Sequence, residues 1–301
     1  MKRIILLTVA AIILLPSAAT IAQIENPEAG EKFNQGKSLF EQGKYREALE
    51  LLLDSTRLEP GNYLACYMLG LTYKALRQPD DAIAQLRAAV NFNPNYYQAF
   101  FVLGGILDDN KNDQAGAIEA YKSSAEVSER IGRPYARAWF NLGGIYFTQR
   151  KWPEAMEAYN KVAQIEPTNE KAHNYMGRAN MEMGQYETAL QNFTMASQRQ
   201  PTWYEPFFHK AAVLNKLGQW DQAIISADEA LTRMPNNGGS LYEKGIALKG
   251  KEQWDAATAV FEQAANDAQW RQMANYQIEV IKNRDVYVDI PPDPSRIPPI
   301  A

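Results

Sequence analysis

The sequence predicts an all-α protein, an array of helix–turn–helix units closed at its C-terminal end by one capping helix. Three observations predict it. Gly36, Gly70, Gly104, Gly143, Gly177, Ala211 and Gly245 lie 34, 34, 39, 34, 34 and 34 residues apart. An alanine follows each of them after twelve or thirteen residues, at Ala48, Ala82, Ala117, Ala155, Ala189, Ala223 and Ala257. A proline closes five of the seven units, at Pro60, Pro94, Pro167, Pro201 and Pro235. A fixed period of this size marks a repeat architecture, in which one unit buries its apolar face only by stacking on the next.

Each element of the period has a physical reason. The glycine sits where a neighbouring helix crosses closely, so that a side chain would push the pair apart. The alanine serves the same crossing from the other helix. Apolar residues at helical spacing, such as Leu69, Tyr73 and Leu86, fill the space between. The proline cannot continue a helix and sets the turn into the next unit. The turn inside a unit often carries a glycine and then an aromatic, as in Gly43 and Tyr45, Gly184 and Tyr186, and Gly218 and Trp220.

This pattern resembles the tetratricopeptide repeat family, a helix–turn–helix of 34 residues. The resemblance covers residues 29–269 in seven copies, with starts near 29, 63, 97, 136, 170, 204 and 238. It implies a right-handed superhelical solenoid whose first helices line a concave face. The third unit is longer: one extra residue falls near Asp113, the rest at its exit in 128–134. A long second helix or a bend is expected there. Ala211 replaces the glycine in the sixth unit, which should pack slightly wider. The stretch 270–285 carries Trp270, Met273, Ile278, Val280 and Ile281 between charges and reads as the capping helix that covers the last apolar face. Residues 286–301 contain five prolines and read as an extended tail.

The N-terminus reads as an address. Lys2 and Arg3 precede an apolar run, Ile4–Leu15, which Pro16 and Ser17 break before Ala18–Ala22. That layout is a secretory signal, expected to be cut after Ala22, with 23–28 as a short linker. The run is short of the roughly 20 residues a membrane span needs. The expected location is periplasmic or secreted, with an uncleaved membrane anchor as the alternative. Cleavage would leave 29 basic against 35 acidic side chains and move the net charge from −4 to −6.

Composition narrows the chemistry. The negative charge disfavours a general nucleic-acid binder, which needs a basic face. A single cysteine excludes a disulfide framework and Cys-cluster metal sites, and two histidines leave little for zinc or histidine catalysis. No Gly-rich phosphate loop or nucleophile elbow is present, and the repeats leave no residues for a catalytic domain. An enzyme and a bound cofactor are therefore not expected. Cys66 and His173 share the place of Trp139 in their units and read as packing residues.

The candidate site is a row on the first helices. Four residues into each unit stand Phe33, Tyr67, Phe101, Phe140, Asn174, Phe208 and Tyr242, six of the seven aromatic. In the family this place faces the concave groove, where Arg137, Lys171 and Arg178 would add positive charge. Rings supply buried area and cations fix carboxylates, which suits a segment of a partner protein. One family subtype grips a terminal carboxylate with paired Lys, Asn and Arg, but the cations and amides here do not reproduce that order. A weaker candidate is calcium. Asp108, Asn110, Asn112 and Glu119 fall at the first, third, fifth and twelfth places of a calcium loop, but Asp113 stands where that loop needs glycine. The bland reading is a polar turn in which Asn112 or Asp113 caps the next helix.

The expected function is a protein-interaction scaffold of the cell envelope that holds a partner segment in its groove. The alternatives are a calcium-responsive binding module and self-assembly through repeat edges and the proline-rich tail. A protein or peptide is the expected partner. Peripheral membrane association and homo-oligomerisation are both compatible with this reading.

Overall fold

A computed structural model describes residues 25–284, apart from residue 112 and the side chains of residues 110 and 111. The expected signal, Asn112 and the proline-rich tail lie outside the described residues. Among these residues all regular structure is helical, and no helix is long and apolar enough to cross a membrane. The chain divides into two compact units, Met1–Lys111 and Asn112–Ala301.

The first unit holds α1 (Pro27–Glu41), α2 (Tyr45–Leu58), α3 (Tyr63–Ala75), α4 (Pro79–Phe92) and α5 (Tyr97–Lys111). Each helix packs on the next in sequence. The second unit begins with α6 (Gln114–Arg130), α7 (Ala136–Thr148), α8 (Trp152–Ile165), α9 (Glu170–Glu182) and α10 (Tyr186–Arg199). It continues with α11 (Glu205–Lys216), α12 (Trp220–Arg233), α13 (Gly238–Gly250), α14 (Trp254–Ala264) and α15 (Arg271–Lys282). Here too consecutive helices pack, and α11 also touches α9 and α13, so first helices of successive repeats lie side by side.

Local chemistry sets the helix ends. Asn62, Asn169 and Asn237 each stand two places after a closing proline and cap the next first helix. Their Oδ1 atoms accept from the backbone N–H of Ala65, Ala172 and Ser240 at 3.0, 2.9 and 2.8 Å. Asp113 caps α6 by accepting from the N–H of Gly116 at 2.9 Å. The turn inside a repeat takes one left-handed residue in six of the seven repeats. Gly43, Gly184 and Gly218 supply it without steric cost, whereas Arg77, Arg150 and Glu252 adopt the same conformation at φ 60°, 57° and 59°.

The repeat glycines stand over one large side chain of the second helix. A Cβ on Gly177 would lie 2.6 Å from Cε1 of Phe193, and one on Gly70 would lie 2.7 Å from Cγ of Leu86. The obstacle is therefore a core side chain that fills the space a Cβ would take. The sixth repeat meets its Ala211 with a matching change: the place of Leu52, Leu86, Tyr159, Phe193 and Phe261 holds Ala227. Both alanines are fully buried. The volume added at residue 211 is removed at residue 227.

The long third repeat shows as a 17-residue α6. Its exit is pinned to the following pair. Ser128 Oγ accepts from the N–H of Tyr135 at 3.1 Å. Glu129 accepts from Trp139 Nε1 at 3.0 Å and pairs with Lys161 at 3.4 Å. At the other end, α15 buries Ala274, Ile278 and Ile281 in a cluster with Tyr242, Leu248 and Phe261. Cys66 is buried, and burial pushes its thiol up, away from the reactive thiolate. His173 is buried between Asn192 and the carbonyl of Pro167.

Candidate partner-binding face

On the first helices of the first unit the row is apolar. Phe33 on α1 packs against the cluster of Leu52, Met68 and Leu69, together with Phe40 and Tyr67. Tyr67 on α3 meets Tyr96 edge-on with ring centres 5.0 Å apart, and Tyr63 meets the same ring at 4.9 Å. Phe33, Tyr67 and Phe101 are all half-buried. Packing thus fixes the rings while part of each still faces solvent.

In the second unit the row gathers polar chemistry around it. Phe140 on α7 lies 5.7 Å from Tyr175 on α9, and Phe147, about two turns further along α7, lies 5.5 Å from the same ring. Tyr175 stacks on Tyr159 at 5.2 Å with the planes 12° apart. Arg178 lays its guanidinium against two of these rings, 4.8 Å from Phe147 and 5.3 Å from Tyr175. On α11, His209 stacks on Phe193 at 5.1 Å and leans on Phe208 at 4.8 Å. Burial and the charge of Arg178 push this imidazole down to about 3, so it is neutral near pH 7.

At the end of the row, Trp270 lies 6.0 Å from Phe208 and 5.2 Å from Tyr242. A Cβ on Gly239 would meet Trp270 at 2.9 Å, which is why the helix opens with glycine at that place. Tyr242 Oη accepts from Gln277 Nε2 at 3.3 Å, and Gln277 Oε1 accepts from Lys249 at 2.7 Å. Beside them Asn215 Nδ2 donates to Glu243 Oε2 at 2.7 Å and to its carbonyl oxygen at 2.9 Å. Burial pushes the Glu243 carboxyl up to about 7, while the Asn215 hydrogen bond and the charge of Lys216 act the other way.

Two expected contact residues are placed differently from their expectation. Asn174 is only 1% exposed, and its Oδ1 is sealed without a hydrogen-bond partner. Tyr242 is 9% exposed, because Trp270 and Gln277 close over it. Among the cations, Arg137 and Lys171 are exposed, whereas Arg178 is half-buried and held by rings. Sequence reasoning missed Tyr175, His209 and Glu243. They stand one place after the aromatic row in successive units, a spacing that was there to be read, though the residue types share no chemistry.

The calcium spacing is divided between elements. Asp108 lies in α5, which runs on to Lys111, so the first four places of the supposed loop are helical. Glu119 lies in α6, and the side chains of Asn110 and Asn112 fall outside the described residues. No group of three or more acidic, His or Cys side chains suited to a metal ion occurs among the described residues.

Comparison with known proteins returns the same architecture. Two family models described as tetratricopeptide repeat match residues 136–169 and 39–100. A third, described as the TT21 fifth ARM repeats domain, matches 170–281. A Bos taurus protein, BBSome complex member BBS4, is 28% identical over 166 residues, which is 55% of this chain and 31% of that one. The chain thus spans about a third of the length of that relative. Among solved structures, the C-terminal part of a TPR repeat-containing protein from Cytophaga hutchinsonii is similar with a TM-score of 0.63 at 16% identity, covering 78% of this chain and 94% of that one. YrrB, described as a TPR protein with an unusual peptide-binding site, has a TM-score of 0.55 at 13% identity, covering 67% and 97%. At these identities the two structures speak for the fold alone.

Proposed function

The chain belongs to the tetratricopeptide repeat family, and on that premise we propose that it is a protein-interaction scaffold without chemistry of its own. Its first-helix face holds a segment of a partner protein. The observation that carries this reading is the run of half-buried rings on that face of the second unit: Phe140, Phe147, Tyr175 and Phe208, with Arg178 seated among them. Rings that are fixed by packing and still reach solvent offer contact area at small entropic cost. The signal-like N-terminus supports a place in the cell envelope, reached by export.

The test is site-specific photocrosslinking in the native cell, with the whole chain. One crosslinker replaces Lys171, exposed on α9 beside the ring row. The control replaces Ile225 on α12, which is 61% exposed. We expect a discrete adduct with one protein from position 171, absent from position 225 and lost when Phe140 and Phe208 become alanine. The same adduct from both positions, surviving the alanine changes, would move the binding surface elsewhere. Fractionation of the same cells should find the protein outside the cytoplasm, and a cytoplasmic pool alone would sink the envelope assignment.

A further inference from the structure

Charge is sorted between the two kinds of helix in the second unit. The first helices α7, α9, α11 and α13 carry seven basic and four acidic side chains. The second helices α8, α10, α12 and α14 carry three basic and eight acidic ones. An acidic segment is therefore drawn to the ring-bearing face and repelled by the opposite one.

The chain itself supplies such a segment. It leaves the described residues at Arg284, whose guanidinium lies 5.8 Å from the ring centre of Trp254. The helix just before, α15, also closes the ring row, because Gln277 bonds both Tyr242 and Lys249. The seventeen residues that follow, 285–301, hold Asp285, Asp289 and Asp293 against the one base Arg296. Between the acids stand Val286, Tyr287, Val288, Ile290, Pro291 and Pro292. Proline-rich chain suits a face of rings: its freedom is already restricted, so docking costs little entropy, and the rings offer contact area.

Reach allows the contact. Seventeen extended residues span about 55 Å. Packed helices lie about 10 Å apart, so the three steps from α15 through α13 and α11 to α9 come to on the order of 30 Å. A tether of this length holds its segment at about millimolar effective concentration, at which weak contacts suffice.

We propose that residues 285–301 cover the first-helix face of the chain's own second unit, so that a partner must displace them to bind. This rests on the partner-binding reading above and adds the regulation of that same face.

The probe is a fluorescent peptide of residues 285–301, acetylated and amidated at its ends. It is titrated by anisotropy against two full-length proteins. One is the wild type. In the other the tail is disabled by Val286→Ser, Tyr287→Ser, Val288→Ser and Ile290→Ser. We expect the disabled protein to bind the peptide about 10-fold more tightly than the wild type, whose own tail competes. Asp285→Asn, Asp289→Asn and Asp293→Asn in the peptide should weaken binding and flatten its dependence on salt. A photocrosslinker at residue 171 of the purified full chain should join the tail of the same molecule. Equal affinity for the two proteins, or no binding to the disabled one, would overturn the proposal. Binding that survives Phe140→Ala and Phe208→Ala would overturn it too, since the tail would then dock elsewhere. A light-induced dimer from position 171 would give the tail to a second copy and overturn the assignment to its own chain. The adduct formed in cells separates this proposal from the reading beneath it. Absence of tail binding with that adduct intact overturns the tail alone, and absence of both overturns the face as well. The peptide substitutions leave the protein intact, so the test stands even where an alanine change disturbs the fold.

Discussion

The two units share one packing scheme and differ in what they leave unsatisfied. The first unit lines its first helices with Phe33, Phe40, Tyr67, Leu71 and Tyr73, and none of its described side chains holds a sealed polar atom without a partner. The second unit holds four such atoms, on Tyr159, Asn174, Asn180 and Asn215, and adds an unpaired guanidinium, a neutral histidine and a carboxyl near half-protonation at pH 7. Packing alone therefore does not account for the second unit. The first unit shows that this repeat can be built without the shortage.

The scheme the units share can be tested at the residue beneath the repeat glycine. Phe193→Ala in the second unit removes a fully buried ring next to Gly177 and should cost about 3–5 kcal/mol. Leu52→Ala at the same place in the first unit should cost about 2–5 kcal/mol. Urea unfolding of the full chain, read by circular dichroism, measures both. If one of them were nearly silent, the two units would not be built alike, and the contrast in polar atoms would lose its reference.

A second test uses pH, because only the second unit carries the two shifted groups. Glu243 is raised from the ordinary 4.5 to about 7. Between those values the unfolded chain has lost this proton while the folded chain holds it, so Glu243 stabilises the fold at low pH and that contribution fades as pH rises to 7. His209 is lowered from 6.5 to about 3. Below pH 6.5 the unfolded chain takes up a proton that the folded chain refuses, so His209 costs stability as pH falls. The two oppose each other in wild type. Glu243→Gln removes one side, and its stability should fall more steeply than wild type from pH 7 to 5, by on the order of 2 kcal/mol. Parallel curves would mean that Glu243 is not held apart from solvent, and the second unit would lose part of its distinction.

What could be read from the sequence follows from how tightly each place constrains residue type. The glycine over Phe193 or Leu86 admits almost nothing else, so seven places in register exposed the period. The expectation that the sixth unit packs wider at Ala211 weighs the glycine place alone; the compensating Ala227, where other repeats carry a large side chain, lies on the partner helix. The place that holds Tyr175, His209 and Glu243 has no common constraint, and so no pattern announced it. Burial of Asn174 was also hidden. An asparagine in a row of aromatics reads as a contact residue, and only the stacked neighbours show that it is closed off.

The smallest expected effect is the sharpest for the comparison. Tyr159→Phe deletes one hydroxyl and leaves the ring that stacks on Tyr175 and closes over Gly143. In most buried tyrosines that deletion loses a hydrogen bond. Here the hydroxyl has none, and its removal should raise stability by about 1 kcal/mol, seen as a higher melting temperature of the free protein. A loss at Tyr159 instead would show that the hydroxyl is already satisfied in the free chain, by an ordered water for example. The second unit would then be no less complete than the first.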